Sequence, residues 1–89
     1  MASRLDPSAL NRAYGRAVRE RREELELTQE GLCFRSDLDR TYISGIERGV
    51  RNPTLKTMCR LAGALGVPPS RLIQAAERLV GTQVRPGRR

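Results

Sequence analysis

Residues 28–49 read TQEGLCFRSDLDRTYISGIERG, and this run decides the architecture. Thr28 is an N-cap type followed by a short apolar stretch through Leu32, Cys33 and Phe34. Ser36-Asp37 breaks that stretch, and Asp is among the few residues that tolerate a left-handed turn. Asp39 then caps a helix over Arg40 to Arg48, with Ile43 and Ile46 facing inward and Gly49 as its stop. Two short helices joined by a tight turn are thus predicted between residues 28 and 49.

Outward from this run the chain is helical throughout. Asp6-Pro7 opens a helix, because Asp caps and Pro suits the first turn. Leu10, Tyr14, Ala17, Val18 and Leu25 continue it at helical spacing to about Leu25. After the turn at Arg51-Asn52-Pro53, Thr54 caps a helix over Leu55–Leu65, with Leu55, Met58, Leu61, Ala62 and Leu65 on one stripe. Pro68-Pro69 starts a fifth helix ending near Val80, before Gly81. No segment alternates long enough for a strand, so the expected fold is all-α, with five short helices. The expected organisation is an N-terminal arm over 1–6, one domain over 7–81, and a disordered basic tail over 82–89.

Composition narrows the chemistry. The chain has 89 residues, room for one small core only. Its 17 cations outnumber 10 acids for a net charge of +7, and Lys56 is the only lysine. There is no histidine, so a His-based triad or His-ligated metal is excluded, and no nucleophile–base or carboxylate cluster points to an enzyme. Tyr14, Tyr42 and Phe34 are the only aromatics, too few for a base-stacking platform. Cys33 and Cys59 lack CxxC spacing and sit in apolar patterns, which predicts buried free thiols. Neither a signal-type apolar region nor a run of about 18 apolar residues occurs, so a cytoplasmic location is expected, with no membrane partner. The positive balance suits an anionic partner without choosing one.

The 28–49 unit has the length of a helix-turn-helix, in which the first helix crosses the DNA backbone and props the second into the major groove. With Ile43 and Ile46 inward, Thr41, Ser44, Gly45 and Arg48 point the opposite way, flanked by Arg40 and Tyr42. Residues at the N-terminal end of a recognition helix reach base edges, which nominates Arg40, Thr41 and Ser44. An Arg40 guanidinium can bind guanine bidentately; the alternative is a plain exposed arginine, but a cation at a helix start opposes the helix dipole, a mild cost that favours the functional role. Tyr42 is either a DNA contact or the edge of the core. Arg48 is either a DNA-side cation or a helix C-terminal charge. On the fifth helix, Ala76, Leu79 and Val80 extend an apolar stripe where a small domain has little left to cover it, the expected two-fold interface.

The runs T-Q-E-G-L at 28–32, L-D-R-T-Y-I-S-G-I-E-R-G at 38–49, R-N-P-T-L at 51–55 and A-L-G-V at 64–67 resemble the Xre/Cro-type phage-repressor family. Within it, S-D-L-D-R-T-Y-I-S-G-I-E-R resembles the controller proteins of restriction–modification systems. The resemblance spans roughly residues 10–73 and implies five helices, a homodimer and double-stranded DNA with paired half-sites. It implies phosphate contacts from Gln29, Arg51 and Asn52, with Arg51 also a candidate for the minor groove. It further implies a structural ion pair between Arg22 and Glu47, Arg22 being a candidate phosphate contact too. Gly31, Ser36 and Asp37 depart from the family pattern, and the chain runs on past residue 73. The expected function is operator occupancy as a homodimeric repressor or activator, with RNA polymerase as a candidate partner and no cofactor, metal or small-molecule ligand. The rival expectation is an antitoxin or coactivator-type protein-interaction module.

Overall fold

The computed structural model describes residues 6–81, so residues 1–5 of the expected arm over 1–6 and the expected tail over 82–89 lie outside the described residues. Five helices follow in order: α1 (Pro7–Glu24), α2 (Gln29–Ser36), α3 (Arg40–Glu47), α4 (Leu55–Ala64) and α5 (Pro69–Val80). Among the described residues there is no strand, as the absence of alternating patterns predicts.

Local chemistry sets most boundaries. The Asp6 carboxylate accepts from the Ser8 N–H at 3.0 Å and Pro7 supplies the first turn of α1. Thr28 accepts from Gly31 N–H at 2.9 Å, and Thr54 from Thr57 N–H at 3.1 Å. Asp39 accepts from Thr41 N–H at 2.9 Å and Tyr42 N–H at 3.4 Å, fixing the start of α3. Asp37 adopts the left-handed conformation expected of it, at φ 59°. Glu26, at φ 58°, does the same after α1, and nothing in its chemistry signals this. Its conformation is imposed by a Schellman closure, in which Leu27 N–H reaches Arg22 O at 3.0 Å and Glu26 N–H reaches Glu23 O at 2.9 Å.

The core gathers one face from every helix. Tyr14 and Val18 of α1 meet Leu32 of α2, Ile43 and Ile46 of α3, Leu61, Ala62 and Leu65 in and after α4, and Leu72 and Ala76 of α5. Helix α1 is the central strut, packed along both α5 and α3. Its approach to α3 is close because Gly15 has no side chain: a Cβ there would collide with the Ile46 carbonyl oxygen. That contact sets the height of α3 above the core, and helical periodicity gives no sign of it.

Several expectations are corrected. Leu55 is 73 % exposed, because the first position of α4 projects outside the Met58–Leu61–Leu65 stripe. Cys59, one turn on from Leu55 along the same flank, is exposed rather than buried. Cys33 is half-buried, and burial raises its thiol pKa above the ordinary value. Phe34, the end of the apolar stretch in α2 and given no core role by its sequence, stands 91 % exposed on the outer face of that helix. Ala76 is fully buried within its own chain, against α1, and offers nothing to a partner surface.

Candidate nucleic-acid interface

Helix α3 is held from below by apolar packing and from one side by a polar lock. Ile43 and Ile46 are 0 % and 1 % exposed, so the helix has a single rotational setting. Glu47, at its last turn, receives Arg22 Nε at 2.8 Å and Nη2 at 3.0 Å, a two-pronged pair in which both side chains are almost wholly buried. Arg22 Nη1 donates to the Leu27 carbonyl at 2.8 Å, so each nitrogen of its guanidinium has a protein acceptor. The hydrogen bonds to Glu47 raise the Arg22 pKa further above its ordinary value. Gln29 Nε2 joins them, donating to Glu47 Oε1 at 3.0 Å. The first residue of α2, the last turns of α1 and the end of α3 are therefore pinned at one carboxylate.

This geometry redistributes the expected roles. Arg22 stands as the structural partner of Glu47, with its fork facing the protein interior. The Gln29 amide, expected at a phosphate, donates to Glu47 in the protein without DNA, giving the buried carboxylate a third donor. The α2 N-terminus still offers its backbone amides, of which the Thr28 side chain accepts one.

On the outward face, Arg40 and Thr41 are exposed and Ser44 is half-buried. Arg40 Nη1 lies 3.5 Å from Glu30 Oε2 across the two helices, both side chains largely in solvent. Arg48, the residue closing α3, donates from Nε to Ser44 Oγ at 3.4 Å. Gly45, expected on this open face, is instead buried under the side chain of Arg51. Tyr42 is tied to the domain: its hydroxyl lies 3.4 Å from Thr57 Oγ1, which in turn is 3.1 Å from Thr54 Oγ1. The Arg51 guanidinium sits over the Tyr42 ring, 5.9 Å from its centroid.

Two residues that no sequence motif singles out frame the loop after α3. Asn11 Nδ2 donates to the Gly49 carbonyl at 3.2 Å, tying the loop to α1. Arg12 runs against Gly49, where a Cβ would be 2.6 Å from Arg12 Cγ, and brings an exposed cation beside Asn52. Together with Pro7, Ser8 and Val50 these residues line a polar cleft of about 340 Å³. Only the folding of α1 alongside the loop reveals them, since they are 37 or more positions away from Gly49 in sequence. The far end of α5 is less distinctive: Leu79 is 36 % exposed and Val80 is half-buried beside Ala9 and Ala13.

A scaffold of this shape, presenting a capped short helix with a polar outer face, defines a helix-turn-helix regulator. The helix-turn-helix family matches residues 18–72, and the chain belongs to that family. It is 46 % identical over 61 residues to the control protein C.BamHI of Bacillus amyloliquefaciens, covering 67 % of this chain and 75 % of that one. The crystal structure of the restriction–modification controller C.AhdI from Aeromonas hydrophila is similar at TM-score 0.67 and 44 % identity, covering 68 % of this chain and 92 % of that one. The controller C.Esp1396I, solved as a tetramer on its natural 35 base-pair operator, is similar at TM-score 0.73 and 35 % identity, covering 80 % and 93 %. The chain is thus a helix-turn-helix transcriptional regulator of the kind that includes these controllers. Among the described residues no His, Cys, Asp and Glu group is arranged to hold a metal, and no helix is long and apolar enough to cross a membrane.

Proposed function

We propose that this protein acts as a homodimer that binds a paired-half-site operator in double-stranded DNA and controls transcription by occupying it, as a restriction–modification controller does. The observation that carries this is the setting of α3: its inward face is locked by Ile43, Ile46 and Glu47, while Arg40, Thr41 and Arg48 are exposed on the other. Arg40 and Thr41, in the first turn, read base edges, and Ser44 follows one turn on. Arg48, Asn52 and Arg12 bind flanking phosphates, which orient the helix without reading sequence. RNA polymerase is the candidate protein partner where the operator adjoins a promoter, and the protein works in the cytoplasm without catalysis or a small ligand.

The two-fold surface is best placed away from Ala76. Leu10, Pro53, Met58 and Ile73 line an apolar cleft of about 210 Å³, and exposed Leu55 lies one turn before Met58. This face adjoins Asn52, so pairing two copies through it sets two α3 helices side by side along one face of DNA, about 34 Å apart. Leu79 and Val80, the other expected interface residues, line a separate cleft with Ala9, Arg12, Ala13 and Arg16.

The test is a selection of bound sequences from random duplexes, followed by gel shift and sedimentation at physiological salt. An operator with two related half-sites, bound at least tenfold above random DNA by a dimer, is the expected result. Binding of every sequence alike would remove the regulator reading. Leu55→Lys should yield folded monomers with weak operator binding, and a dimer that survives this change would move the interface elsewhere.

A further inference from the structure

Of the serines and threonines among the described residues, only Ser36 and Thr57 are buried, and their hydroxyls are satisfied in different ways. Ser36 Oγ donates to the Leu32 carbonyl of its own helix at 2.6 Å, a local bond. Thr57 instead joins two other hydroxyls. Its Oγ1 lies 3.1 Å from Thr54 Oγ1, at the cap of α4, and 3.4 Å from the Tyr42 hydroxyl, in the first turn of α3. The cap itself takes only the Thr57 backbone N–H, so it does not require a hydroxyl on that side chain. Burying a hydroxyl costs free energy that valine, of nearly the same shape, would avoid. Helix α3 packs chiefly on α1 and α2, whereas α4 packs on α2 and α5. The Tyr42–Thr57 contact is thus a direct polar tie between two helices held in place mainly by other partners. On α4, Thr57 stands between Leu55, which is exposed, and Met58, which lines the apolar cleft beside Asn52.

We propose that Thr57 is a positioning residue that ties the first turn of α3 to the two-fold face on α4, and so sets the separation at which the two copies of α3 meet their half-sites. This deepens the operator-binding reading and rests on it. Arg40 and Thr41 precede Tyr42 in the same turn, so holding the Tyr42 ring by its far end holds the turn that reads base edges. A tyrosine ring transmits position well, because only two rotors separate its hydroxyl from the backbone. Leu55 and Met58, on either side of Thr57, meet the partner copy, so the tie fixes α3 relative to the two-fold axis. Paired half-sites lie about 34 Å apart for one turn of DNA. One extra base pair between them displaces a half-site by about 3.4 Å along the axis and rotates it by about 35°. With the tie in place α3 cannot follow that displacement, and without it the helix has freedom to do so.

The experiment compares affinity for the selected operator with affinity for the same duplex carrying one extra base pair between its half-sites. It is run on wild type, Thr57→Val, Thr57→Ser and Tyr42→Phe, with thermal melts alongside. In wild type the insertion should lower affinity by about tenfold or more, as a mismatched base pair does. Thr57→Val should reduce that penalty by about fivefold, the worth of one hydrogen bond. Tyr42→Phe removes the same bond from its other end and should reduce the penalty by the same factor, and combining the two changes should add nothing. Thr57→Ser keeps the hydroxyl and should restore the wild-type penalty. A loss of folded protein lowers both affinities alike and leaves their ratio unmoved, so the ratio separates positioning from stability. An unchanged penalty in Thr57→Val and Tyr42→Phe would overturn the proposal, as would Thr57→Ser behaving like Thr57→Val. Should Thr57→Val melt too early to assay, Tyr42→Phe carries the same test, and an unchanged penalty there overturns the proposal. A wild-type protein that binds every sequence alike, or that ignores the insertion, would defeat the paired-half-site reading and the proposal with it, an outcome seen before any variant is compared.

Discussion

Arg22 of α1, paired with the last residue of α3, and Arg40, the first residue of α3, live in different physical worlds. The Arg22 side chain is largely covered, each guanidinium nitrogen has an acceptor within 3.0 Å, and its carboxylate partner has a third donor from Gln29. Arg40 is exposed, and its one ion pair spans 3.5 Å between side chains that are 63 % and 76 % open to solvent. A desolvated pair is held in place by the penalty of separating it, whereas a solvated pair exchanges easily for water or for another anion. The same residue type therefore serves as a rivet at one end of α3 and as a ready ligand at the other.

The sharpest way to break this contrast is Glu47→Ala. It strands the Arg22 charge and removes the Gln29 acceptor, and should destabilise the fold by about 3–5 kcal/mol, read by denaturant titration. If stability changes by less than about 1 kcal/mol, the pair is effectively solvated and the contrast dissolves. Arg40→Ala should leave the melting temperature nearly unchanged. It should remove about 1–3 kcal/mol of discrimination at one or two operator positions, measured by competition with base-substituted duplexes. A variant that melts early or loses all sequences equally would place Arg40 with Arg22 as scaffold.

A third buried polar group sharpens the rule that satisfaction decides the outcome. The Tyr14 hydroxyl is buried with no hydrogen-bond partner among the described residues, and burial pushes its pKa well above the ordinary 10.0. Tyr14→Phe should stabilise the protein by up to about 1 kcal/mol by removing an unpaired polar group. The folded protein holds this proton where the unfolded chain gives it up, so wild-type stability should fall as pH rises above 10.0. Tyr14→Phe should flatten that alkaline slope, and identical alkaline melts for the two proteins would show that the hydroxyl ionises as readily folded as unfolded.

The legible parts of the molecule are those governed by neighbours in sequence. Thr28, Asp39 and Thr54 cap the helices they precede, and Asp37 turns the chain where a left-handed residue is needed. The inward setting of Ile43 and Ile46 follows from helical periodicity alone. Where periodicity failed, the reason was an element's edge. Leu55 satisfies an apolar pattern, yet the first turn of α4 faces solvent. Ala76 failed in the opposite sense, because α1 extends far enough to cover α5 to that depth.

What the amino-acid sequence determined by itself was five helices, their caps and stops, and which side of α3 turns inward, since these depend on residues within about four positions of one another. Tertiary structure alone decided that Gly15 lets α1 touch the Ile46 carbonyl, that Gln29 turns toward Glu47, and that Arg51 lies across Gly45. Those outcomes depend on the distance and angle between helices. A glycine or a glutamine carries no record of which backbone will pass over it, and only packing the apolar faces together brings those partners within reach.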